Sequence, residues 1–134
     1  MKIESEKVEI IKAFRDFSYV IPDYQREYIW KEKNVSQLLN DIHDEYLDDR
    51  DSEYFIGSIV VTKRDSGAFE VIDGQQRLTT LFISLCALKR LLKDSPQHLR
   101  EVSSLLASQK SNERGEFSQS RHLDLQYEDR VKSI

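Results

Sequence analysis

The stretch from Phe69 to Leu81, FEVIDGQQRLTTL, constrains the fold more than any other part of the chain. An apolar, β-branched run stops at Asp73-Gly74, a dipeptide that by itself favours a hairpin turn. The apolar residues that follow instead repeat at helical spacing: Leu78, Leu81, Phe82, Leu85, Leu88 and Leu92. This spacing predicts a central, largely buried helix running to about Lys93. The predicted order is therefore strand, polar turn and helix.

A strand that feeds through a polar turn into a helix leaves free backbone N–H groups at the helix start. Those groups and the helix dipole favour an anion. Arg77 lies in the first turn, where the dipole alone favours an acid, so a cation there is better explained if an anion shares the site. This arrangement suits phosphoryl chemistry, in which catalysis is mostly positioning and charge stabilisation.

Each polar residue of the turn has a role in that interpretation. Arg77 would neutralise phosphate oxygens, and the N–H groups of Gly74, Gln75 and Gln76 would cradle them. Asp73 would hold a magnesium ion or orient a water, and Gln75 or Gln76 would position the attacking water or a nucleotide hydroxyl. An alternative stays open, in which Asp73 merely caps the helix and Arg77 forms a surface ion pair.

Two further segments are candidates for the same site. The run Ile21 to Trp30 is dense in aromatic and planar polar side chains. It is either a structured loop that plugs the edge of the core or a rigid segment that presents Gln25 and Arg26 to a ligand. Gly57 and Ser58 interrupt a predicted strand, as a bulge or as a point where a ligand approaches the backbone.

Composition excludes several classes of function. The net charge of −4 gives no support to nucleic acid as the direct ligand. A single cysteine excludes a disulfide framework and a cysteine-rich zinc site. The sequence has no Ser-His-Asp set, no GxxxxGK[ST] loop and no GxGxxG fingerprint. No apolar run approaches the length of a membrane span, and we expect an intracellular, cytoplasmic protein.

The remaining periodicities predict an α+β domain with a small, mainly antiparallel sheet flanked by helices. Helices are predicted over residues 4–17 (with Ser5 as a cap), over 35–47 (with Asn34 as a cap) and from the polar turn at Asp73-Gly74 to about Lys93. Strands are predicted over 19–21, 54–62, 68–72 and 121–127, and those over 54–62 and 68–72 are predicted to form a hairpin. Residues 94–120 are predicted to be a polar loop region with a short helix within 98–108. Residues 128–134 are predicted to begin a further helix, from which we expect an N-terminal fragment of a longer protein, with one domain over residues 1–134.

Three sequence blocks resemble the N-terminal domain of GmrSD-type restriction proteins. They are IPxYQRxYxW at residues 21–30, FIGSIV at residues 55–60, and VIDGQQRLTTL at residues 71–81. The blocks occur in the order and at the separation of the family, whose hallmark is an Asp-Gly-Gln-Gln-Arg motif, and the resemblance spans roughly residues 3 to 92. It implies a ParB/sulfiredoxin-like fold.

The resemblance also implies a function. Family members are phage-defence proteins that cut modified DNA, and the N-terminal domain is thought to bind and hydrolyse a nucleoside triphosphate. By carry-over, residues 73–77 are the nucleotide site, with Gln25 and Arg26 beside it. Together with the chemistry of the residues, this makes Asp73, Gln76 and Arg77 the catalytic candidates, with Mg2+ held by Asp73. The nucleotide-binding candidates are Gly74, Gln75, Gln25, Arg26, Gly57 and Ser58.

The partners implied are a nucleoside triphosphate and a C-terminal nuclease module, with DNA engaged only indirectly and no membrane. A homo-oligomer stays open. The chain carries no nuclease centre, so we do not expect it to cut DNA by itself. Two rival functions remain, a binding module that senses modified DNA without hydrolysis and a purely structural unit.

Overall fold

The computed structural model describes residues 4–24, 27–111 and 114–125. This part of the chain forms four helices, α1 (Ile10–Asp16), α2 (Glu32–Asp48), α3 (Gln75–Leu91) and α4 (Pro96–Leu106). It also forms six strands, β1 (Tyr19–Ile21), β2 (Val60–Lys63), β3 (Phe69–Asp73), β4 (Ala107–Ser111), β5 (Phe117–Arg121) and β6 (Leu123–Leu125). The predicted α+β class is confirmed.

The main sheet has four strands in the order β2-β3-β1-β6. Strand β1 runs parallel to both β3 and β6, whereas β2 and β3 form the predicted antiparallel hairpin. The sheet is therefore mixed and not mainly antiparallel. The reason is that β1 reaches its neighbours only through long, helix-containing connections, which allow strands to return in the same direction. Strands β4 and β5 form a separate antiparallel pair.

The hydrophobic core lies between one face of the main sheet and the helices α1, α3 and α4. Tyr19 pairs with Phe69 on one side and with Leu123 on the other, so these side chains share a face. The buried core consists of Phe14, Tyr19, Ile21, Val71, Leu78, Phe82, Val102, Leu105, Leu106 and Leu123. The core thus fixes the strand β3 and the start of α3 relative to each other.

Helix α3 is buried only in its first half, which corrects the prediction of a largely buried helix. Its buried residues are Leu78, Thr79, Thr80 and Phe82, whereas Leu91 is 81% exposed. The apolar pattern continues beyond the end of the core, because α4 covers only part of the helix. The site at the start of α3 therefore rests on its best-packed turns.

The region predicted as a polar loop, residues 94–120, contains α4, β4 and β5. Helix α4 confirms the short helix predicted within residues 98–108; it begins two residues earlier than predicted, at Pro96, and buries Val102, Leu105 and Leu106. Strands β4 and β5, which were not predicted, pair with each other in antiparallel register. Such pairing needs no apolar face and therefore leaves little hydrophobic signal.

Several predicted boundaries are also wrong. Helix α1 is capped at Glu9 rather than Ser5, and α2 at Lys31, whose N–H donates to Asn34 Oδ1 at 3.0 Å. The strand predicted over residues 54–62 begins only at Val60. It lies at the sheet edge with Val60 51% exposed, so its two faces are not both covered. The helix predicted at 128–134 lies outside the described residues.

None of the helices in the described ranges combines the length and the apolar character needed to cross a lipid bilayer.

Candidate functional site

The turn between β3 and α3 forms the centre of the candidate site. Strand β3 ends at Asp73, and Gly74 is the N-cap residue with φ 91° and ψ 13°, a left-handed conformation that glycine adopts without steric cost. No side chain caps the helix, and its first turn carries no acidic residue. The first backbone bond runs from the N–H of Leu78 to the carbonyl of Gly74 at 3.1 Å.

The three preceding N–H groups, on Gln75, Gln76 and Arg77, therefore have no partner within the helix. They point outward from the positive end of the helix dipole. This geometry overturns the alternative in which Asp73 caps the helix, because the cap position belongs to Gly74. It leaves an open helix N-terminus of the kind that binds anions.

Arg77 is packed against the backbone of Gly57. A Cβ atom added to Gly57 would lie 2.2 Å from Nη1 and 2.6 Å from Cζ of Arg77. The Nε atom of Arg77 is buried and has no hydrogen-bond partner among the described residues. Arg77 also makes no ion pair within the described ranges, in contrast to the predicted surface ion pair. The guanidinium is thus held in place by packing and not by a carboxylate.

The residue after Gly57 lies over the same turn. A Cβ added to Gly74 would be 2.9 Å from the carbonyl oxygen of Ser58 and 3.2 Å from Cα of Ile59. The structure therefore brings together Gly57, Ser58, Gly74 and Arg77, which are separated by up to twenty positions in the sequence. Close approach of the backbone at Ser58 and Ile59 accounts for Gly74, whereas packing of the Arg77 side chain accounts for Gly57.

Gln76 contacts a different segment, residues 27–30. Its Oε1 accepts hydrogen bonds from the backbone N–H groups of Ile29 at 2.9 Å and Trp30 at 3.2 Å. Its Nε2 donates to the carbonyl oxygen of Glu27 at 3.0 Å. A primary amide can accept two hydrogen bonds and donate two. Three of these four are used on backbone, and the catalytic role assigned to Gln76 stays a prediction.

A second link joins the same two elements one helical turn further along α3. The hydroxyls of Tyr28 and Thr80 lie 2.8 Å apart, and the Thr80 hydroxyl donates to the carbonyl oxygen of Gln76 at 2.8 Å. Because Thr80 has one proton to donate, Tyr28 must be the donor in the first bond. The sequence alone did not identify Tyr28 or Thr80 as site residues. The available signal was a threonine within an apolar helical repeat, and the structure shows that Thr80 is buried.

The chain just before residues 27–30 is also hydrogen-bonded to strand β3. The Tyr24 hydroxyl donates to Glu70 Oε1 at 2.6 Å, and Arg64 contacts the same oxygen at 3.4 Å. The hydrogen bond from Tyr24, followed by that from Arg64, holds the pKa of the Glu70 carboxyl below its ordinary value. Gln25 and Arg26, predicted to bind the nucleotide, lie outside the described residues.

Asp73, the predicted metal ligand, is exposed at the end of β3. In the described part of the chain, no three His, Cys, Asp or Glu side chains group closely enough to hold a metal ion. Mg2+ at phosphate-processing sites commonly takes one or two carboxylates, with phosphate oxygens and waters completing the shell. A lone Asp73 therefore fits magnesium only in company with a bound phosphate chain.

One apolar groove of about 370 Å3 lies elsewhere, between α3 and β6. None of the residues that line this groove is a predicted site residue. The lining consists of Thr79, Phe82, Ile83, Cys86, Arg121, Leu123 and Leu125. The candidate site is a polar turn with two attached segments, and it does not share the lining of this groove.

Comparison with protein families connects this geometry to known proteins. Residues 8–133 match the family described as GmrSD restriction endonuclease, N-terminal domain. The chain belongs to this family. It is therefore related to restriction proteins, as the three sequence blocks predict. The matched range of the GmrSD N-terminal domain includes the turn at residues 73–77 and both segments that contact it. No curated protein matches the chain.

Proposed function

We propose that this GmrSD N-terminal domain binds and hydrolyses a nucleoside triphosphate at the start of α3. The observation that carries the proposal is Arg77, a cation in the first turn of an uncapped helix, with a buried Nε that lacks a partner among the described residues. A partly buried cation without a carboxylate partner is costly unless an anion completes it. The open N–H groups beside it favour the same kind of ligand.

A phosphate group is the anion that best suits these donors. Arg77 offers a planar fork of N–H groups that matches phosphate oxygens. The N–H groups of Gln75 and Gln76 would bind a second oxygen in the manner of a backbone nest. The Gly57-Ser58 backbone would form the opposite side, where the absence of a side chain on Gly57 keeps Arg77 in position.

Hydrolysis would follow from positioning more than from covalent chemistry. Water would attack the γ-phosphorus, the bond to the β,γ-bridging oxygen would break, and inorganic phosphate and a nucleoside diphosphate would leave. Gln75, whose side chain makes no hydrogen bond among the described residues, would orient the water. Asp73 would hold Mg2+, which neutralises phosphate charge when bound.

The domain would regulate a nuclease rather than act as one. The family to which the chain belongs is named for a restriction endonuclease, whereas the groups of the proposed site serve to bind and hydrolyse a nucleotide. We therefore propose that nucleotide turnover controls a C-terminal nuclease module of the full-length protein, through which DNA is engaged indirectly.

The decisive experiment is calorimetric titration of the purified chain with GTP, UTP and ATP in the presence of Mg2+, repeated with Arg77→Ala. Saturable binding that disappears in a variant with a normal melting curve supports the proposal and identifies the base. Arg50→Ala is the matched control, because Arg50 lies on the surface over the Tyr46 ring at 5.6 Å and far along the chain from the turn. Absence of binding by the unsubstituted chain to all three nucleotides overturns the proposal for this domain.

A further inference from the structure

We infer that Gln76 is a positioning residue, which clamps residues 27–30 onto the start of α3 and thereby fixes one side of the proposed nucleotide site. The expected effect on nucleotide binding rests on the proposed function, whereas the contacts between Gln76 and residues 27–30 do not. It assigns to Gln76 a role distinct from that of Arg77, its neighbour in the motif. We refer to Gln76, Thr80 and their contacts with residues 27–30 as the clamp.

The clamp is built from two sets of hydrogen bonds that converge on one residue. The side-chain amide of Gln76 holds the backbone of Glu27, Ile29 and Trp30 with three bonds of 2.9 to 3.2 Å. Tyr28 donates to Thr80, which in turn donates to the backbone carbonyl of Gln76. The side chain of Gln76 thus binds the segment directly, and its main-chain carbonyl is linked to the segment through Thr80.

The arrangement matches the period of the helix. Gln76 and Thr80 are four residues apart and lie on the same face of α3. Thr80 is 1% exposed, so its buried hydroxyl requires hydrogen-bond partners. It accepts from Tyr28 and donates to the carbonyl oxygen of Gln76. Residues 27–30 have no helix or strand of their own. Their backbone polar groups depend on such external partners, which makes the segment sensitive to a single side chain.

The consequence for the site follows from the spacing of the motif. Gln76 and Arg77 are consecutive in the first turn of α3, so the segment that Gln76 holds is attached to the same helical turn as the cation that would bind phosphate. Displacement of a segment by about 1 Å is enough to lower the activity of a site substantially. Removal of the side-chain amide of Gln76 should therefore weaken ligand binding, although that amide is not one of the groups proposed to contact the ligand.

The chain contains its own reporter for the clamp, because Trp30 is its only tryptophan. The backbone N–H of Trp30 donates a hydrogen bond to the side chain of Gln76. The Trp30 side chain is half-buried. Release of the segment exposes the indole to water and to soluble quenchers. Tryptophan emission therefore reads the clamp in the absence of any nucleotide.

The test compares Gln76→Leu and Gln76→Glu with the unsubstituted chain. Leucine removes all three side-chain bonds, whereas glutamate keeps an acceptor for Ile29 and Trp30 and loses the donor to Glu27. The matched control is Gln37→Leu on α2, because Gln37 is exposed and its side chain hydrogen-bonds, among the described residues, only to Asp41 on the same helix, at 2.9 Å. Melting curves establish that each variant is folded before the emission spectrum and acrylamide quenching of Trp30 are measured.

We expect Gln76→Leu to shift the Trp30 emission to the red and to raise its quenching constant, Gln76→Glu to give a smaller change and Gln37→Leu to give none. Unchanged quenching in a folded Gln76→Leu variant overturns the clamp. In the GTP, UTP and ATP titrations we expect Gln76→Leu to weaken binding by about tenfold, the equivalent of one net hydrogen bond. Full affinity despite a released Trp30 overturns the positioning role alone.

The two proposals fail in different ways. If the unsubstituted chain binds no nucleotide, the proposed function and the positioning role fail together, while the Trp30 measurement still decides whether the clamp exists. If Arg77→Ala abolishes binding and leaves the quenching of Trp30 unchanged, the cation and the clamp are separable parts of one site, as we infer.

Discussion

The guanidinium of Arg77 occupies the space where any residue other than glycine at position 57 would carry its Cβ. The hypothetical atom lies 2.2 Å from Nη1, which is well inside van der Waals contact. Gly57 also has φ +146°, a conformation that L-residues rarely adopt. Two independent constraints therefore require glycine at this position, and one of them exists only because Arg77 is there.

Gly57→Ala should consequently displace Arg77 and impair ligand binding. The backbone conformation alone costs about 1–3 kcal/mol for a residue with a Cβ, and the contact with the guanidinium adds to it. We expect chemical denaturation to show this loss of stability. We expect titration with nucleotide to show a loss of affinity as severe as that of Arg77→Ala.

Gly67→Ala is the control for backbone strain. Gly67 has φ +93°, but no atom lies within 4 Å of its hypothetical Cβ. This substitution should cost about 1–2 kcal/mol of stability, from the left-handed conformation alone, and leave nucleotide affinity unchanged. Equal effects of the two substitutions on affinity would contradict the proposed link between Gly57 and Arg77.

An acidic residue in the first turn of α3 should have opposite effects on stability and binding. Gln75→Glu places a carboxylate at the positive end of a helix that has no acid in its first turn. The free energy of unfolding of the empty protein should rise by about 0.3–1 kcal/mol at low salt. The same charge would repel a phosphate, so nucleotide affinity should fall.

The matched control for that substitution is Gln97→Glu in α4, whose first turn also lacks an acid. It should give a similar rise in the free energy of unfolding with no change in affinity. Urea denaturation and calorimetric titration measure the two quantities. Stronger nucleotide binding by Gln75→Glu would exclude an anion at the start of α3.

The hydrogen bond between Tyr28 and Thr80 can be measured with a double-mutant cycle. Tyr28→Phe removes the donor and Thr80→Val removes the acceptor with little change in volume. The coupling between the two substitutions should be about 0.5–1.5 kcal/mol in denaturation experiments, the usual net value of one hydrogen bond. Additive effects of the two substitutions would show that the hydroxyls do not interact in solution.

The strand, turn and helix at residues 69–91 were predictable because their signals are local. β-branched residues, Asp-Gly and a helical repeat of apolar residues follow one another without overlap. The contact between Gly57 and Arg77 could be predicted only in part. The sequence shows that a glycine interrupts a predicted strand, but it does not show which residue packs against that glycine. The amide of Gln76 could not be assigned, because a glutamine that holds distant backbone looks the same in sequence as one that faces a ligand.

The errors elsewhere have the same origin. The apolar repeat of α3 continues into turns that α4 does not cover, so periodicity overestimates burial towards Leu91. Strands β4 and β5 are polar and pair with each other, so a pattern based on hydrophobicity reads them as loop. The parallel pairing of β1 with β3 and β6 is a property of long-range connection, which local sequence does not encode.

Tyr19 should make the domain sensitive to alkaline pH. It is 7% exposed, and its hydroxyl donates to the carbonyl oxygen of Ala13 at 2.9 Å. Burial raises the pKa of Tyr19 to about 12, whereas in the unfolded chain it is about 10. The folded state therefore holds this proton more tightly, and the resulting stabilisation is complete below about pH 10.

As the pH rises from about 10 to about 12, the unfolded chain loses the proton first, so the free energy of unfolding should fall by about 2–3 kcal/mol through this group. Tyr19→Phe should lose about 1 kcal/mol near neutral pH, from the missing hydrogen bond. It should also lack the part of the alkaline decline that Tyr19 contributes. Urea denaturation of both proteins near pH 8 and near pH 11 measures the difference. A decline of the same size in both would show that the Tyr19 hydroxyl is not protected in the folded domain.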